Sequence, residues 1–173
     1  MFLLKFIQSL FNTLHSEGTP GQVAAGLALG AFFGLTPLLS FHNLVIFALL
    51  CLLNVSFGGA MLGWAIFTPF GFLLDPVFDA VGRRLLLETP ALTPLWTTLA
   101  NTPVVPLTNF NNSVVLGSVV CSTMAFLPLW FAGCWGVERY RVTLGPKVTS
   151  SRLYRAITAS KLYNAYRFFF GGK

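Results

Sequence analysis

Three apolar runs follow one another at 21–35, 41–57 and 59–74 without a charged residue. Each stops short of the roughly 20 apolar residues that a helix rising about 1.5 Å per residue needs to cross a bilayer. The stretch "GLALGAFFGLTPLLSFHN", residues 26–43, reads as a membrane helix for ten residues, breaks at Thr36-Pro37, and then offers His42 and Asn43. Hydrocarbon has no water to satisfy a freed backbone group, so a broken helix persists there only when it is buried in protein or lines a cavity. A fourth run, 113–135, is long enough to span alone, although Gly117, Pro128 and Gly133 permit it to bend or split.

Only 9% of the 173 residues are charged, against about a quarter in an ordinary soluble domain, and 55% are hydrophobic. The expected fold is therefore an all-α integral membrane protein of short, Gly/Pro-broken, re-entrant transmembrane helices with amphipathic or interfacial ends. No linker divides it. One membrane domain over 18–136 follows an amphipathic helix at 1–17 and precedes a basic, aromatic tail at 137–173. In "MFLLKFIQSLFNTLH" the apolar residues share one helical face opposite Lys5, Gln8, Ser9 and Asn12, which is the pattern of an amphipathic helix, lying in the headgroup plane or packed on the rest of the domain, and not of a cleavable signal.

All eleven basic residues lie outside the strongly apolar runs: Lys5, the pair Arg83 and Arg84, and eight between Arg139 and Lys173. Beside a hydrophobic body, such charge marks the cytoplasmic side and meets anionic lipid; nucleic acid is not the expected partner. The chain is expected to be a multi-pass membrane protein with both termini cytoplasmic. Three runs separate Lys5 from the arginine pair and one separates that pair from the tail, so all three markers cannot share a side by simple crossing. Either some runs are re-entrant, or the arginine pair faces outward, or the Pro-rich stretch after Leu85 dips into the membrane. The break residues favour re-entrant elements.

The polar groups form few constellations. Thr36-Pro37…Asn43 recurs as Thr102-Pro103…Asn109, each copy ahead of an apolar run, which is the pattern of a weak internal repeat. Asp75, Asp79 and Arg83 are spaced four apart and stack on one face of a helix starting near Pro76. They read as an interfacial ladder or, for Asp75, as part of a polar path. Gly26, Gly30 and Gly34 form a continuous small-residue groove for close helix packing, whose partner could be another segment, another copy or another protein. His42 reads foremost as a cap or packing residue. Cys51, Cys121 and Cys134 are far apart in apolar surroundings and show no ligand spacing. No metal site, cofactor motif or catalytic constellation rises above background, and no enzyme activity is expected.

The segment from "GTPGQVAAGLALGAFFGLTPLLSFHN" through "FTPFGFLLDPVFDAVGRRLL" resembles the bacterial membrane family known as domain of unknown function 2062. The likeness lies in a Pro ahead of a Gly/Ala-rich helix, the Gly-Leu-Thr-Pro break, the His42-Asn43 pair, Asn54, and a Thr-Pro-Phe…Asp-Pro…Gly tail, over about residues 18–87. Thr68-Pro69 stands where that pattern has Asn-Pro. The resemblance implies a bacterial inner-membrane protein, with some relatives fused to or encoded beside envelope-biogenesis partners, and no established reaction. The expected function is envelope lipid handling: transport of a phospholipid or polyprenyl phosphate, or an adaptor for a larger lipid-transfer partner. Thr36, Pro37, His42, Asn43, Asp75, Asp79, Arg83, Arg84 and Asn109 are its candidate lipid or polar-path residues. Helix N-termini and the two arginines are the groups expected to meet a phosphate. The alternative is a structural or assembly subunit of a membrane complex.

Overall fold

The computed structural model describes residues 18–38, 40–103 and 105–144, and every regular element among them is helical. The helix expected over 1–17 lies outside these residues, as does the tail beyond 144. Helix α1, Pro20–Leu35, starts on a capping box: the Thr19 hydroxyl accepts from the Gln22 N–H at 3.2 Å, and the Gln22 side chain accepts from the Thr19 N–H at 2.8 Å. It stops because Thr36 precedes a proline, whose ring disfavours helical geometry one residue upstream; Thr36 is extended, with φ −111° and ψ 153°.

Helix α2, Phe41–Leu52, then runs back, and the Ser56 N–H donates to the Gln22 carbonyl at 3.1 Å, returning the chain to the level at which α1 began. Helix α3, Phe57–Leu87, is a single helix of 31 residues. The sequence pattern puts a stop near Leu74 and a fresh start near Pro76. The helix instead continues through Pro69 and Pro76, because each proline costs one backbone bond while packing against the neighbouring helices holds both flanks. Asp75 and Asp79 therefore sit in the second half of a long helix and not at an N-terminus. After a 3₁₀ turn at Pro90–Leu92 come α4, Thr93–Ala100, and a second 3₁₀ turn at Val105–Thr108. Helix α5, Ser113–Arg139, is capped by Asn112 and unbroken at Pro128; it ends in a π-helical turn at Tyr140–Leu144.

Helices α1, α3 and α5 pack together, and α2 adds Ile46 and Leu50 to the buried core. A Cβ on Gly26 would lie 2.1 Å from the Ser56 carbonyl oxygen, one on Gly30 would lie 1.9 Å from that of Ala60, and one on Gly63 would lie 2.1 Å from that of Leu27. The two backbones touch through reciprocal glycines, and their matched numbering shows that α1 and α3 run parallel. The partner of the small-residue groove at Gly26, Gly30 and Gly34 is thus another segment of the same chain. Helix α5 is antiparallel to both: Gly117 abuts the Phe78 carbonyl, Gly82 abuts that of Ser113, and the Trp130 indole donates to the Gly21 carbonyl at 3.2 Å.

The α1–α2 hairpin is shorter than the helix it packs against. Helix α1 ends beside Gly71, whose added Cβ would lie 2.4 Å from the Gly34 carbonyl oxygen, and this is halfway along α3. Three passes separate Gly18 from Arg83, so the Arg83–Arg84 pair lies at the opposite end of the bundle from Arg139 and Arg141. At that other end Arg141 donates to the Gly18 carbonyl at 3.0 Å. The repeated Thr-Pro…Asn word does not fold alike in its two copies. Asn43 is buried in the first turn of α2, whereas Asn109 sits in a left-handed turn with φ 55° between the second 3₁₀ turn and α5.

Candidate functional site

The break between α1 and α2 is held by a small polar knot. The Asn43 side-chain amide donates to the carbonyls of Pro37 at 2.9 Å and Leu38 at 3.2 Å, two backbone groups that the interrupted helix has released. Its own carbonyl accepts from the Thr36 hydroxyl at 3.1 Å, and that hydroxyl also lies 2.9 Å from the Phe32 carbonyl. Both side chains are buried. Asn43 is fully engaged in keeping the hairpin bent, so the break is built and not frayed.

Directly beside this knot lies a cavity of about 240 Å³ between the end of α1 and the middle of α3. Its walls are mostly apolar. Its polar members are Thr36, Thr68 and Asp75, so two groups singled out by sequence, the Thr36-Pro37 break and Asp75, share one site. Asp75 is half-buried and has no hydrogen-bond or ion-pair partner among the described residues. It is also the first charged residue of α3 after eighteen uncharged positions, 57–74.

The remaining candidates lie elsewhere. Asp79 pairs with Arg83 at 2.9 Å and accepts a hydrogen bond from the Ser113 hydroxyl, tying α3 to the start of α5. Arg83 lines a second, more open cavity of about 600 Å³ with Trp96 and Phe110, whose rings stack at 6.1 Å. Arg84 is exposed. His42 packs edge-on to Phe32 with 6.2 Å between ring centroids, and its buried Nε2 has no partner among the described residues. Neither arginine reaches the hairpin-tip cavity, and no wall residue of that cavity comes from the first turn of α2. Phe72 was not singled out by sequence, and Thr68 only as a departure from the family pattern; their signal was the pair of X-Pro steps in α3, Thr68-Pro69 and Asp75-Pro76.

The architecture is that of an all-helical protein folded around a bent hairpin. Two of its helical segments, Phe57–Leu87 and Ser113–Thr143, are long and apolar enough to cross a membrane. The chain belongs to the family described as an uncharacterized protein conserved in bacteria, DUF2062, whose model matches residues 4–143. That match extends well past the 18–87 region that carried the resemblance and takes in α4 and α5. The chain is also similar to an uncharacterized protein of Treponema pallidum (strain Nichols). The two are 28% identical over 155 residues, covering 88% of this chain and 93% of the relative. No solved structure matches the chain.

Proposed function

We propose that this protein is a multi-pass inner-membrane protein that handles envelope lipid, admitting a headgroup at the tip of the α1–α2 hairpin. The observation that carries this reading is the hairpin-tip cavity, in which an unpaired carboxylate faces apolar walls at the height where α3 turns from apolar to charged. The membrane placement is supported by how little of the two long helices is covered. Only 28% and 22% of their most apolar windows are buried, whereas the core helix of a soluble protein is mostly buried. Phe72, Leu73 and Met124 are each about three-quarters exposed, a surface that lipid solvates and water does not. With the bilayer centred on 57–74 of α3, the hairpin occupies the same belt. The 16 residues of α1 rise about 24 Å against a hydrocarbon core of about 30 Å, so the bilayer is thinned around the tip.

The assembly alternative loses its main support, since the glycine groove is filled by α3. Purified protein in vesicles should speed transbilayer movement of a tail-labelled phospholipid over protein-free vesicles. Asp75→Asn should slow it about tenfold, the loss of one charge-assisted hydrogen bond. Wild-type vesicles that move no phospholipid faster than empty ones would sink the lipid-handling reading.

A further inference from the structure

The chemistry of the hairpin-tip cavity is one-sided. Its hydroxyls have committed their protons inward: Thr36 to Phe32 or Asn43, and Thr68 to the Trp64 carbonyl at 2.7 Å, so each offers the cavity only oxygen lone pairs. Phe33, Gly34 and Leu35, three wall residues, are the last of α1. Their carbonyls face no further helical N–H, and they form the negative end of that helix dipole. Phe72, another wall residue, stands four positions before Pro76, which has no N–H to give to its carbonyl. Asp75 adds a carboxylate with no cation beside it among the described residues. The polar side chains of the wall bring no lysine, arginine, histidine, asparagine or glutamine. A phosphate here would meet no side-chain donor.

Resting on the lipid-handling reading and deepening it, we infer that this cavity takes a primary ammonium group. Such a group carries one positive charge to meet Asp75 and three N–H donors to distribute among hydroxyl and carbonyl oxygens. In a bilayer the abundant bearer of that chemistry is an aminophospholipid such as phosphatidylethanolamine; a free amine from the aqueous side carries the same group. The exposed Leu38 and Phe72 at the wall place acyl chains on the membrane side of the amine. The phosphate lies outside the cavity.

The test is native mass spectrometry of the full chain released from nanodiscs that contain equal parts of phosphatidylethanolamine, phosphatidylcholine and phosphatidylglycerol. Phosphatidylethanolamine should be retained about tenfold over both others, because phosphatidylcholine has the charge without N–H donors and phosphatidylglycerol has neither. Asp75→Asn should abolish the preference while Glu88→Gln, exposed and remote from the cavity, preserves it; circular dichroism of each variant confirms an intact fold. Retention of ethanolamine or spermidine added to protein in phosphatidylglycerol-only discs, lost in Asp75→Asn, assigns the same site to a free amine. Equal retention of phosphatidylethanolamine and phosphatidylglycerol with no amine bound overturns the inference. Lipid flux that persists under that outcome leaves the lipid-handling reading standing.

Discussion

Asn43 shows how one side chain can set a fold. A helix broken inside an apolar layer leaves carbonyls that neither water nor lipid will satisfy, and each buried orphan costs about 1–3 kcal/mol. Asn43 is the donor for two of them, and its carbonyl is an acceptor for Thr36. Asn43→Leu should therefore destabilise the protein by about 2–4 kcal/mol, with Asn43→Asp at least as costly because a carboxylate donates nothing. Thr36→Val, which leaves the two amide bonds intact, should cost about 1 kcal/mol. Denaturant unfolding in detergent, followed by tryptophan fluorescence, ranks the three; an Asn43→Asp protein as stable as wild type would mean the amide is not what holds the hairpin. The Thr-Pro break and the polar pair after it were visible in sequence. That Asn43 donates to the carbonyls of the break was not, because a donor's target depends on which carbonyls the turn exposes.

At the scale of helices, the glycines divide by what lies across from them. A Cβ on Gly30 meets the Ala60 backbone at 1.9 Å, and backbone on both sides leaves no flexible side chain to give way. Gly30→Ala should force α1 from α3 and cost about 1–3 kcal/mol as overpacking. Gly136, with nothing within 4 Å, should accept alanine with a gain of about 0.5–1 kcal/mol from the helix-interior preference. Melting temperatures of the two variants should move in opposite directions. The periodicity of Gly26, Gly30 and Gly34 was legible as a packing face, but three partners fitted it equally well. The parallel return of α3 chose among them, and it depends on α2 being just long enough to bring Ser56 back to Gln22. The continuity of α3 was hidden for a related reason: local rules read Pro69 and Pro76 as stops, while the cost of each is met by contacts with residues far away in sequence, such as Gly34 and Ser113.

For the whole molecule, the order of helices bears on the charge puzzle that the apolar runs posed. Helices α1, α2 and α3 make three passes, so Arg83 and Arg84 lie at one end, accompanied by the carboxylates of Asp79 and Glu88. Arg139 and Arg141 lie at the other end, from which six further basic residues follow along the sequence. The first end has as many acids as bases, and the basic run of the sequence follows from the second, so the positive-inside bias places the second in the cytoplasm under the proposed membrane placement. An outward-facing arginine pair then needs no re-entrant run to explain it. This fixes an outcome for labelling. With Cys51, Cys121 and Cys134 replaced by serine or alanine, Glu88→Cys and Glu138→Cys should react with a membrane-impermeant maleimide from opposite faces of inner-membrane vesicles. Glu138→Cys should react only where the cytoplasmic face is accessible. Both positions are exposed and near the ends of antiparallel helices, so neither substitution disturbs the core. Labelling of both from one face would mean that α3 and α5 do not cross, and the hairpin-tip cavity would then open to water instead of to a lipid headgroup.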